Sequence, residues 1–166
     1  MAQCFKIDIE NSTNLFDCKQ TPLFSFFQLR APSIDSFQSI SKNPESYTRT
    51  LAKMLKKWNT ENICFINPQA RINKRLKKLD MLHPDSIRCR GMRIVAKRNN
   101  SKENNLTCLL RHMRNSVAHG RVFTKNVGGV EYILFDDTFA DTCTARIICT
   151  EKELERWKSI ILKAHS

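Results

Sequence analysis

Three side chains close to the end of one amphipathic stretch have the types and spacing to do chemistry. They are Arg114, Asn115 and His119, within "LLRHMRNSVAHGRV", Leu109 to Val122. An imidazole can take up or release a proton near neutral pH. A guanidinium presents a planar fork that suits two-point contact with phosphate oxygens. Other chemistries lack their residues. There is no GxxxxGK phosphate cradle, and four glycines (Gly91, Gly120, Gly128, Gly129) leave no room for a dinucleotide-binding fingerprint. HExxH and GxSxG are also missing. Asp136 and Asp137 end a strand-like run and could hold a metal, although aspartates more often cap a turn. No metal site and no cofactor are expected. One histidine, an arginine five before it and an amide between them remain.

A helix must position these groups. At about 100° per residue, Leu106, Leu109, Leu110, Met113 and Val117 fall on one narrow face, with Arg114 at its edge. Asn115 and His119, four apart, stack on the far side, and Arg111 and Ala118 lie between them and Arg114. Gly120 suits the left-handed residue just past a helix end, so His119 should close the last turn. The same residues have a plainer reading: an arginine that snorkels at the edge of a core stripe and a histidine that favours a helix C-terminus.

The wider chain holds 166 residues with a formal charge of +12. That length suits one domain with a single core. Between Lys42 and Arg98, 15 basic residues face four acidic ones, so +11 of the charge belongs to the middle third. Such a localised field attracts polyanions, because neutralised phosphates release counterions, but it also suits solvated helix faces. No apolar run is long enough for a membrane span, and "MAQCFKIDIE" lacks the pattern of a secretory signal, so the cytoplasm is expected and no membrane partner. Seven cysteines without a CxxC pair read as free buried thiols, with Cys143 and Cys149 on one face of a strand.

Periodicity predicts mostly helix and then a small β element. "FKIDI" alternates as a strand, whereas "TPLFSFFQLRAPS" fits a buried strand, a loop or a short helix equally. "NPESYTRTLAKMLKKW" and "PQARINKRLKKLDML" read as helices, the second burying Ile72, Leu76 and Leu79. A further helix is expected from Pro84 to about Arg98, with Ile87, Gly91, Ile94 and Val95 inward, followed by a loop at "RNNSKENN". Gly128-Gly129 joins two strands as a hairpin, and "TARIICT" reads as a third strand. Thr150 and Glu153 form a capping box for a last helix that buries Leu154, Trp157, Ile161 and Ala164.

"RNSVAH", Arg114 to His119, resembles the signature of the HEPN ribonuclease superfamily: Arg, a polar residue, three more residues, then His. The longer string, with "FDD", "TARI" and a final helix after it, is similar to a group of small bacterial and plasmid-encoded HEPN proteins. The specific likeness covers roughly Leu106 to Trp157, about a third of the chain. With the helical pattern it implies a mainly α fold: a HEPN-like helical bundle with a small C-terminal antiparallel β element and a final helix. The expected layout is one domain over 1–166. It comprises a basic helical region at about 42–98, a motif helix at about 102–119, a β hairpin or meander at about 121–149, and a C-terminal helix at about 151–165.

The resemblance also implies an activity. RNA cleavage without metal uses the substrate's own 2′-hydroxyl, so the protein need only move protons and stabilise charge on the phosphate. Arg114 and His119 would be catalytic, with Asn115 orienting the histidine or the phosphate. Arg111, Arg121, Lys74, Lys77 and Lys78 would bind RNA. One imidazole cannot easily serve as both base and acid, so a two-fold homodimer that joins two motifs is expected. The implied setting is a toxin or defence enzyme. Relatives inhibited by adenylylation carry a tyrosine two residues after the histidine. Arg121 stands there instead, which leaves room for a different antitoxin or regulatory protein. A non-catalytic module that binds RNA or nucleotides, and a protein-interaction dimer whose charge serves solubility, are the alternatives.

Overall fold

The computed structural model describes residues 19–30 and 61–163. The strand expected at "FKIDI", the helix expected at "NPESYTRTLAKMLKKW" and Ala164 lie outside them. Five strands form one mixed sheet: β1 (Ile63–Ile66), β2 (Arg93–Lys97), β3 (Val122–Val127), β4 (Val130–Phe139) and β5 (Thr142–Thr150), in the order β1-β2-β5-β4-β3. β1 and β2 run parallel, and the other neighbours are antiparallel. One face carries α1 (Thr21–Ser25), which runs on into a π-helical turn at Phe26–Arg30, together with α3 (Asn105–Ala118) and α4 (Glu151–Lys163). The short α2 (Asn73–Lys78) and the chain after it cover the other face.

The expected mainly α bundle is therefore overturned: the core is a five-stranded sheet with helices on both faces. The largest departure lies between Pro84 and Arg98. The expected helix is only a 3-10 turn at Pro84–Ser86, followed by β2. Ile87, Gly91, Ile94 and Val95 happen to match a helical spacing. However, Arg93, Ile94, Val95 and Ala96 are buried in succession, because β2 is an interior strand covered on both faces. The apolar part of that run, Ile94 to Ala96, suits a strand or a buried helix equally. Ile94 and Ala96 face α3, whereas Val95 faces the α2 layer. β1, a run of four residues, completes the parallel pair.

Elsewhere the local signals hold. Gly128 (φ +59) and Gly129 (φ +82) join β3 to β4. In the Thr150–Glu153 box, the Thr150 N–H donates to Glu153 Oε2 at 2.7 Å, and the Glu153 N–H donates back to Thr150 Oγ1 at 3.3 Å. Leu154, Trp157 and Ile161 are buried as expected. The segment left open at "TPLFSFFQLRAPS" forms α1 and the π turn, placing Leu23, Phe24, Phe26 and Phe27 in the core. α2 is shorter than its pattern predicts, because Asp80 turns left-handed (φ +53) and Met81 N–H closes back on the Leu76 carbonyl at 2.8 Å.

The five described cysteines are free thiols, two buried and three half-buried. Burial pushes Cys108 and Cys143 up to about 12. Cys143 and Cys149 do not share a face. Thr144 is an extra residue of β5 opposite Asp137 and Thr138, and this bulge turns Cys143 toward the α2 layer while Cys149 stays beneath the helices.

The end of α3 is a complete Schellman closure. Gly120 N–H bonds to the Val117 carbonyl at 3.1 Å and Arg121 N–H to the Ser116 carbonyl at 2.8 Å, with Gly120 at φ +65. A Cβ at Gly120 would meet nothing within 4 Å, so only backbone strain opposes a larger residue. Gly120→Ala is expected to lower stability by about 1 kcal/mol, and Gly120→Asn by less, in urea unfolding followed by circular dichroism.

Candidate functional site

α3 is capped at its N-terminus by Asn104, whose side chain accepts from Thr107 N–H at 2.9 Å, and at its C-terminus by His119. Leu106, Leu109, Leu110, Met113 and Val117 are buried against the sheet, as the apolar stripe predicts. That anchoring leaves Asn115 half-buried and His119 exposed. Both line a cleft of about 420 Å³, with Lys97, Arg98, His112 and Asp137 among its other walls.

The cleft rests on a buried polar array. His112 Nδ1 lies 2.5 Å from Asp137 Oδ2, and His112 Nε2 lies 2.7 Å from the Lys97 carbonyl. Asn115 Nδ2 donates to the same Asp137 oxygen at 3.2 Å, and Thr144 Oγ1 donates to the Asp137 carbonyl at 3.1 Å. Burial pushes the Asp137 carboxyl up, but the hydrogen bond and charge of His112, with the Asn115 amide, outweigh it and hold the group below its ordinary value. Both His112 ring nitrogens are engaged, one by the Asp137 carboxylate and the other by the Lys97 carbonyl. His112 is thus committed to the floor of the cleft, and His119 is the α3 imidazole open to solvent. The array also sets the Asn115 amide, whose nitrogen faces Asp137.

The other predicted residues are dispersed. Arg114 does not line the cleft; its Nε donates to the Gln28 carbonyl at 3.1 Å, on the π turn that packs against α3. Arg111 reaches the cleft wall but pairs with buried Glu103 through Nε (2.7 Å) and Nη2 (2.9 Å), and Nη2 also donates to the Lys97 carbonyl at 3.0 Å. Burial pushes the Glu103 carboxyl up, yet Arg111 and the Asn99 N–H bring it below its ordinary value. Arg121 pairs with buried Asp136. Lys74, Lys77 and Lys78 are exposed on α2, across the sheet from the cleft, so their charge and His119 lie on opposite faces.

Asp136 and Asp137 do not cap a turn, and their placement does not let both carboxylates reach one ion. They lie inside β4, and the pleat sends their side chains to opposite faces: Asp137 to His112, and Asp136 to Arg146 Nε at 2.8 Å and to Arg121. Sequence reasoning did not single out His112, and it weighed Asp137 only as a metal ligand or a turn cap. A signal existed, since His112, Asn115 and His119 recur at spacings of three and four along one helical face. Arg98 and Lys97 were counted in the basic segment but not placed beside the motif. Arg98 Nη2 donates to the neutral amide of Asn105 at 2.6 Å, and neither cation has a carboxylate salt-bridge partner among the described residues.

α3 carries the Arg114–His119 spacing on which the likeness to HEPN proteins rests. Residues 11–163 match the family described as HEPN pEK499 p136, and the chain belongs to that family. No curated protein and no solved structure matches it. No helix among the described residues is long and apolar enough to cross a membrane.

The floor of the cleft couples to acid stability. Asp137 and Glu103 lie below their ordinary values when folded. Their contribution is therefore fully present above about pH 4–5, and it is lost as pH falls through the ordinary range and then through the lower folded values. Chemical unfolding at stepped pH is expected to show stability declining in that window. Asp137→Asn is expected to be less stable by about 3 kcal/mol at neutral pH and to decline less steeply in acid.

Proposed function

We propose that the protein is a metal-independent endoribonuclease of HEPN type that works as a homodimer, of the toxin or defence kind that its likeness to small bacterial and plasmid-encoded relatives implies. One observation carries this reading: exposed His119 and the held Asn115 amide share a cleft with Lys97 and Arg98, two cations without carboxylate salt-bridge partners among the described residues. In the reaction, the 2′-oxygen of RNA forms a bond to phosphorus as the bond to the 5′-oxygen breaks. A base takes the proton of the 2′-hydroxyl, and an acid returns one to the leaving oxygen. His119 of each protomer supplies one of those roles, and the cleft cations stabilise the phosphate charge. Arg114 is the second catalytic group in this reading, and contact with the phosphate requires its guanidinium to leave the Gln28 carbonyl.

A second reading, a non-catalytic module that binds RNA or nucleotides, is favoured by the Arg114 contact to Gln28, which engages the guanidinium away from the cleft. One assay separates the two. The full chain, incubated with RNA in excess chelator, is expected to release fragments ending in 2′,3′-cyclic phosphate. His119→Ala is expected to reduce the rate by about 10²-fold or more, because removal of a general acid or base costs on that order. Its exposed position predicts unchanged thermal unfolding. Cleavage by His119→Ala at the wild-type rate would overturn the assignment. RNA retention without turnover would establish the binding module.

A further inference from the structure

The rim of the cleft carries a side chain with no role so far. Phe139 is 78 % exposed, compared with 42 % for Val130 and 47 % for Leu162, the other exposed large apolar residues of the described chain. It nevertheless lines the cleft with Thr138 and His119. Phe139 ends β4 opposite Thr142, and the two residues after it, Ala140 (φ +46) and Asp141 (φ +60), make a left-handed two-residue turn. Turns of that hand match the twist of a hairpin and admit few backbone states, so the ring stands on a short, defined support.

A lone exposed phenylalanine needs no explanation on most surfaces. This one shares a cleft with Lys97, Arg98, an amide and an imidazole. Cations that track a phosphodiester backbone beside an open aromatic face are the combination that holds an unpaired nucleotide, because every base offers a face to stack. A duplex keeps those faces within its own stack. We propose that Phe139 is the stacking platform for an unpaired nucleobase next to the phosphate held over Lys97, Arg98 and His119, so that the cleft selects single-stranded over duplex RNA. The ligand class rests on the RNA-cleaving reading above, whereas the platform is tested by binding.

The probe is a fluorescent single-stranded RNA with its 2′-hydroxyls methylated, which removes the nucleophile and prevents cleavage, titrated into the full chain and followed by anisotropy. Phe139→Ala is expected to weaken binding about tenfold, and Phe139→Trp to restore it. A blunt duplex with the same modification should bind both forms alike. Abasic positions in the strand should weaken binding to the wild type and have little effect on Phe139→Ala. Undiminished binding by Phe139→Ala would overturn the proposal, as would wild-type affinity in Phe139→Leu, which keeps an apolar surface without a ring. A fall in the mass of the particle in solution on Phe139→Ala, with RNA affinity unchanged, would show a subunit contact and also overturn it. If His119→Ala still cleaves while the Phe139 effects persist, the nuclease reading fails and the platform stands. If His119→Ala is inactive and Phe139→Ala binds normally, the platform alone fails.

Discussion

The pleat of β4 at Asp136 and Asp137 holds the two halves of this structure to one sheet. Successive side chains of a strand point to opposite faces, so two adjacent carboxylates enter two different buried layers. Asp137 receives His112 and Asn115 from α3, tying the motif helix to the sheet. Asp136 receives Arg146, whose Nη1 also reaches the carbonyls of Met81 and Leu82 in the covering segment that follows α2. Arg93 does similar work one strand further out, donating to the Leu79 and Arg88 carbonyls. Each layer is thus fixed by a charged group that would be costly to leave buried without a partner.

These networks bear on the site because they hold its floor still. His112 sits at 1 % exposure with both nitrogens engaged, so it acts as a strut and not as a reagent. Asn115 is held by the same carboxylate, and His119 follows one turn later at a helix end closed by Gly120. A site built on a helix and a strand and supported by buried hydrogen bonds keeps its geometry better than one carried on loops. The bulge at Thr144 belongs to the same design. It re-aims the first residues of β5, and the Thr144 hydroxyl donates to the Asp137 carbonyl.

The basic side chains described above fall into three groups. Arg93, Arg111, Arg121 and Arg146 are each bonded to a carboxylate or to backbone carbonyls. The lysines of α2 form an exposed basic surface across the sheet from the cleft. Lys97 and Arg98, at the end of β2, are the members of the basic segment that the fold carries to the motif. A net charge counted along the chain cannot distinguish these groups, because the sheet separates residues that are close in sequence.

Much of the local architecture was legible in the sequence, because it depends on interactions within a few residues. The apolar stripe of α3, the closure at Gly120, the Gly128-Gly129 hairpin and the Thr150–Glu153 box are of this kind. The Arg114–His119 spacing likewise pointed to the family that the match over residues 11–163 shows. What required the tertiary structure was everything decided by pairing between distant segments. "RIVAK" becomes a strand only because β1 and β5 flank it, and its helical spacing was accidental. The Asp137–His112 pair joins residues 25 apart, and Arg114 turns to Gln28, 86 residues away. Periodicity reports which face of a segment is apolar; which charged groups meet across that face is set by strand order and register, and these exist only in the assembled sheet.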